Sequence, residues 1–282
     1  MRSVNVLDSS DNVRLALHDQ GGQGPTLFMS HATGFHGRIW QPIADRLSDQ
    51  YHSIAVDYRG HGESDSPESG DMRWEGFGED ASVVADHLGG RLFGLGHSKG
   101  AAALLMAEIR RPGTFAALVV YEPVIFPTNG PRPAADHALA QGARRRRSTF
   151  ATFDQALENF STKPPMKAFD PACRDAYVRH GFRTTTEGTI ELKCAPEMEA
   201  RVYEGGGLHK TWDSLGQVRC PVLVLHGRVG PFGAAVVADK LAPLMPNATS
   251  YGWDFLTHFG PQEAPGLIAE AARSYFDEAV RH

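Results

Sequence analysis

Apolar residues along this chain fall in short unbroken runs, separated by longer stretches with helical periodicity. The beginning differs: residues 3–7 and 12–18 alternate apolar and polar around the turn Ser9-Ser10-Asp11-Asn12, the pattern of two paired strands. After the break Gly21-Gly22-Gln23-Gly24-Pro25 come the runs Thr26–Met29, Ser53–Val56, Leu92–Leu95, Phe115–Tyr121, Val222–Leu225 and finally Thr249–Trp253. Between them Ile39–Leu47, Trp74–Leu88 and Ala101–Ile109 predict helices, and another is expected to start near Phe232. The chain closes on an amphipathic helix with Leu267, Ile268, Ala271, Tyr275 and Phe276 at helical spacing. Continuous apolar strands alternating with helices predict an α/β fold, a doubly wound, mostly parallel sheet covered by helices on both faces. Counted with the opening pair, the runs give eight strands.

From Val124 to about Trp212 the alternation stops, and only helices are predicted. Thr152-Phe153-Asp154-Gln155 forms a capping box, Asp170-Pro171 opens a helix that Gly181 ends, and Pro196 opens one that Gly205 ends. The block is too long for a loop. The expected division is therefore a core of residues 1–123 and 213–282 with an inserted helical cap over 124–212. Its aromatic residues, such as Phe169 and Tyr177, are expected to pack the insertion onto the core, with a few lining a pocket beneath it.

Composition narrows the function classes. With 282 residues and 41% hydrophobic residues the chain can bury a large core, and its net charge of −5 argues against nucleic acid as a partner. The one basic run, Arg144–Arg147, reads as a solvated helix face. Cys173, Cys194 and Cys220 are odd in number and lack metal-ligand spacing, which implies no metal site and fits a reducing cytoplasm. No signal-peptide pattern and no membrane-spanning run appear, so neither export nor membrane insertion is expected. A small-molecule ligand is the expected partner, and homodimerisation stays open.

The chemistry is announced by Gly96-His97-Ser98-Lys99-Gly100, which follows a predicted strand and opens a predicted helix. G-x-S-x-G in that context is a nucleophile elbow. The serine must hold a strained turn conformation, at about 1–3 kcal/mol, to lift its Oγ clear of the backbone. Small neighbours at Gly96 and Gly100 let strand and helix approach. Ser98 is the candidate nucleophile, and it needs a base, usually a histidine backed by a carboxylate. Among 13 histidines, His258 is best placed, in the loop after the last strand, where loops beyond parallel strands converge on one crevice. His226 opens a tight turn and reads as structural, as do His31, His61 and His97.

Ser30-His31-Ala32-Thr33-Gly34, Asp57-Tyr58-Arg59-Gly60-His61-Gly62-Glu63-Ser64, Gly96-His97-Ser98-Lys99-Gly100 and His258-Phe259, in this order, resemble the α/β-hydrolase superfamily over essentially the whole chain. The insertion then resembles that family's cap. One position departs from the family pattern: where many members carry the acid after the seventh strand, this chain has Gly230. The resemblance offers a second location at the end of the sixth strand, occupied by Glu122, with Asp254 and Asp239 as the remaining candidates. It also implies an oxyanion hole from the backbone N–H groups of Lys99 and Thr33. The Lys99 side chain is expected to reach solvent. Asp57 to Ser64 is expected to brace the sheet edge, with Arg59 and His61 outside the catalytic set. The implied activity is a cofactor-independent serine hydrolase that cleaves a hydrophobic ester or lactone through an acyl-enzyme. A carbon–carbon bond hydrolase whose Arg-rich cap binds a carboxylate, an acyltransferase and a non-catalytic binding protein remain the alternatives.

Overall fold

The computed structural model describes residues 4–128, 134–228 and 235–281. The first half contains β1 (Val4–Asp8), β2 (Arg14–Gly21), β3 (Thr26–Ser30), α1 (Gln41–Leu47), β4 (His52–Asp57), α2 (Trp74–Leu88), β5 (Leu92–His97), α3 (Lys99–Arg110) and β6 (Phe115–Tyr121). Next come α4 (Ala134–Arg145), β7 (Thr149–Phe150), α5 (Phe153–Thr162), α6 (Pro171–Gly181), β8 (Phe182–Thr184), β9 (Ile190–Leu192) and α7 (Pro196–Gly205). The chain ends with β10 (Val222–His226), α8 (Ala235–Leu241), β11 (Ala248–Gly252), α9 (Gly260–Glu263) and α10 (Pro265–Arg281). The predicted helix start near Phe232 lies outside the described residues, as does Gly230.

Eight strands form one sheet in the order β1-β2-β4-β3-β5-β6-β10-β11. β2 runs antiparallel to both β1 and β4, and the other pairs are parallel. The fold is therefore the expected doubly wound one. Its central strand β5 is buried at every position, which is why it reads as an apolar run up to its last residue, His97. One face of the sheet packs on α2, α3 and α8 through residues such as Phe77, Leu104 and Leu241. The other packs on α1 and α10 through Ile43, Ile268 and Phe276. Strand order reverses between β3 and β5, and these strands, with β6, β10 and β11, run parallel and bring their carboxyl ends to one edge of the sheet. Among the described residues, no helix is long and apolar enough to cross a membrane.

The Asp57–Ser64 stretch braces the edge as expected. Asp57 accepts from His18 Nε2 at 2.7 Å, from the Gly37 N–H and from the Glu63 N–H. Burial alone would raise the Asp57 carboxyl, but the bond from His18 and the charges of nearby histidines hold it well below the usual carboxylate range. Arg59 is fully buried and bonds Asp80 through Nε and Nη2 at 2.8 and 2.7 Å.

Two expectations for residues 124–212 need correction. The segment is not free of strands: β7, β9 and β8 form a small antiparallel sheet. Strands of 2–3 residues are too short to show a period of two in sequence. Nor is the basic run uniformly solvated. Arg146 is half-buried, bonding Glu199 and the Tyr177 hydroxyl at 2.6 Å each, while Arg144 pairs with Glu197 and Glu204. Glutamates spaced along α7 accept the guanidinium groups arriving from α4 and the turn after it.

Candidate active site

β5 ends at His97, and the chain turns at Ser98 with φ 55° and ψ −117° before α3 begins. That positive φ in a non-glycine residue is the strain expected of an elbow. Both flanking glycines are required by close approach. A Cβ on Gly100 would lie 2.3 Å from the Ser30 carbonyl oxygen, and one on Gly96 would lie 2.7 Å from Ala101 Cα. Ser30 ties the turn to β3, its Oγ donating to the Gly100 carbonyl at 2.8 Å.

Three side chains distant in sequence meet here in one hydrogen-bonded row. The Ser98 hydroxyl donates to His258 Nε2 at 3.0 Å, and His258 Nδ1–H donates to Glu122 Oε2 at 2.6 Å. Because a carboxylate accepts from Nδ1, Nε2 keeps its lone pair and faces the serine. Glu122 is buried at the carboxyl end of β6, with φ 43°. Its other oxygen, Oε1, accepts from the Gly227 N–H at 2.8 Å, which fixes the plane of the carboxylate. The rival carboxylate Asp239 is engaged elsewhere, accepting from His226 Nε2 and the Ser250 hydroxyl.

Lys99 opens α3, so its N–H belongs to the first turn, whose donors have no intrahelical acceptor. Thr33 is buried in the loop that follows β3, directly before Gly34 at φ 76°. Glu199 of α7 presses on that loop: a Cβ on Gly34 would lie 2.5 Å from Glu199 Oε1. Beside it runs a seam of rings. Phe35 of the loop meets Phe169 at 6.0 Å and Tyr177 at 5.6 Å between centroids, and Phe169 meets Phe259, the residue after His258, at 5.5 Å. Neither Glu199 nor the contacts of Phe35 carried any signal in sequence, because each depends on segments more than a hundred residues away.

The Lys99 side chain corrects an expectation. It does not reach solvent but is fully buried, with Nζ 4.5 Å from the Tyr58 ring centre and 4.3 Å from that of Phe77, and without a hydrogen-bonding partner among the described residues. The first turn of α3 is roofed by aromatic residues, so its stem packs and its ammonium lies on ring faces. Burial, reinforced by Arg59, pushes its pKa down to about 7 against the partial support of Cys194, Asp80 and Asp57. Between pH 7 and the ordinary lysine range the unfolded chain holds a proton that the folded one has released. Stability from this group therefore rises with pH across that window. Lys99→Met should stabilise the protein at pH 7 by on the order of 1–3 kcal/mol. The gain should shrink toward pH 10, as urea unfolding at both pH values will show; a gain that grows with pH contradicts the assignment.

The sequence profile of the alpha/beta hydrolase family matches residues 27–274. The chain is 32% identical over 278 residues to the 2-(acetamidomethylene)succinate hydrolase of Mesorhizobium japonicum, covering 98% of this chain and 95% of that one. It is 26% identical over 233 residues to a pimeloyl-[acyl-carrier protein] methyl ester esterase of Nitrosomonas europaea, covering 80% and 86%. Among solved structures, an E-2-(acetamidomethylene)succinate hydrolase superposes with a TM-score of 0.83 at 20% identity over 98% of this chain and all of that one, and shares its fold. Elbow, sheet order and sequence profile agree: the chain belongs to the alpha/beta hydrolase family.

Proposed function

We propose that the protein is a serine hydrolase acting on a carboxylic ester or lactone of a small to mid-sized, largely apolar substrate. The hydrogen-bonded row Ser98–His258–Glu122 carries this reading. Ser98 Oγ attacks the carbonyl carbon while His258 Nε2 takes its proton, and Glu122 holds the imidazole in the accepting tautomer and stabilises the imidazolium. The backbone N–H groups of Lys99 and Thr33 receive the oxyanion, each worth about 3–4 kcal/mol in such sites. His258 then returns its proton to the leaving alcohol, water enters, and the same imidazole deprotonates it to clear the acyl group. Segment 124–212 acts as a cap, and the rings of Phe35, Phe169, Tyr177 and Phe259 favour an apolar substrate.

A second reading takes its observation from the relative named as a 2-(acetamidomethylene)succinate hydrolase: the substrate in that protein's name is a dicarboxylate. Against it, the guanidinium groups of Arg144 and Arg146 are already committed to Glu197, Glu204 and Glu199. Glu199, the partner of Arg146, lies next to Gly34, so that pair brings no net charge there. The pairing favours the neutral ester.

Two assays test the proposal. A fluorophosphonate should add one adduct per chain, located on Ser98 by peptide mass, and p-nitrophenyl butyrate should be hydrolysed faster than p-nitrophenyl hemisuccinate. The reverse preference would move the assignment to anionic substrates. Neither labelling nor turnover would leave a binding protein as the better account.

A further inference from the structure

His97 and Tyr121 end β5 and β6, stand opposite each other in register, and directly precede Ser98 and Glu122. Both are buried, with ring centroids 5.8 Å apart. Each ends on a backbone carbonyl of the loop that carries His258. Tyr121 Oη donates to the Thr257 carbonyl at 2.6 Å, and His97 Nε2–H donates to the carbonyl of His258 itself at 2.7 Å. The approach of Tyr121 is built into the chain, since a Cβ on Gly260 would lie 2.2 Å from its hydroxyl.

The partner decides the chemistry of His97. A carbonyl only accepts, so Nε2 carries the proton, and Nδ1 is left buried without a partner among the described residues. Burial and the neighbouring His258 ring, 5.0 Å away, hold the His97 pKa well below the ordinary value. It therefore stays uncharged beside an imidazole that must become charged.

His258 stands on a loop, and its side chain is 35% exposed, so strand packing does not fix it. Glu122 restrains the imidazole at Nδ1 alone. We infer that His97 and Tyr121 are positioning residues that clamp the backbone at Thr257 and His258, so that Nε2 stays within reach of Ser98. The inference rests on the proposed role of His258 as the base. It links the three members through the residue before Ser98 and the residue before Glu122.

The test compares wild type with His97→Phe, His97→Gln and Tyr121→Phe on p-nitrophenyl butyrate. Phenylalanine keeps the ring and loses the donor, whereas the glutamine amide can place an N–H near the position of Nε2. His97→Phe should lower kcat by about 30–100-fold with KM within about twofold, as expected for a misplaced base. His97→Gln should recover to within about fivefold of wild type, and Tyr121→Phe should lose about tenfold. The rate of fluorophosphonate labelling should follow kcat. If the wild type neither turns over nor labels, the hydrolase reading fails, and the clamp is judged instead by the proton NMR signal of His258 Nδ1–H. That signal should persist in wild type and His97→Gln and shift or vanish in His97→Phe. The inference is overturned if His97→Phe keeps both kcat and that signal, or if His97→Gln is as impaired as His97→Phe. Should His97→Phe fail to fold, Tyr121→Phe and His97→Gln decide: wild-type kcat in the first, or loss of the signal in the second, overturns it.

Discussion

Ser98→Ala lowers kcat on p-nitrophenyl butyrate by about 10⁶-fold, the loss expected when the nucleophile of a cooperating triad is removed. What remains is about 10³–10⁴ over the reaction in water, supplied by the oxyanion donors and by binding. The donors proposed at Lys99 and Thr33 survive because they are main-chain N–H groups, which a change at the Ser98 side chain leaves in place. Stability should barely move, by about 0.5 kcal/mol or less. Alanine inherits the same φ of 55°, and the Oγ bond it gives up is the one to partly exposed His258. Steady-state kinetics with urea unfolding of the same preparation separate the two effects. A variant that keeps more than about a hundredth of wild-type kcat would place the nucleophile elsewhere.

Glu122→Gln produces the second largest loss, about 10⁴-fold in kcat. Glu122 presents two acceptors to two donors, Oε1 to the Gly227 N–H and Oε2 to His258 Nδ1–H. A glutamine has only one oxygen. If that oxygen stays on Gly227, its NH₂ faces Nδ1 and drives His258 into the tautomer that carries its proton on Nε2. Ser98 then has no acceptor for its proton. If the amide flips, the NH₂ meets the Gly227 N–H and a buried donor goes unpaired, at about 1–3 kcal/mol. Asp239→Asn, by contrast, should stay within about threefold of wild type, since that carboxylate serves His226 and Ser250. Equal losses in Glu122→Gln and Asp239→Asn would remove Glu122 from its assigned role.

How much of this could be read from the chain differs residue by residue. Ser98 is legible because its requirements are local: an apolar strand, two glycines forced by close approach, and a helix, all within about twenty residues. The sheet is legible for the same reason, since buried parallel strands must be apolar throughout. His258 is legible as a position, a loop at the carboxyl edge of the last strand, but not as a geometry. Glu122 follows only from the family resemblance together with Gly230, and its hydrogen bond to His258 spans 136 residues.

Tertiary structure alone decided the rest. No local pattern shows that His97 and Tyr121 reach the carbonyls of Thr257 and His258, because a side chain bonding a main-chain group places no demand on the partner's identity. Lys99 looks like any surface lysine until Tyr58 and Phe77 close over it, and Arg146 looks solvated until α7 brings Glu199. Backbone conformation and strand burial depend on residues close in sequence, so the sequence by itself determined the elbow and the layered sheet. Pairing between polar groups depends on which segments folding brings within about 3 Å of one another, so the third dimension decided the clamp, the buried charges and the orientation of the candidate base.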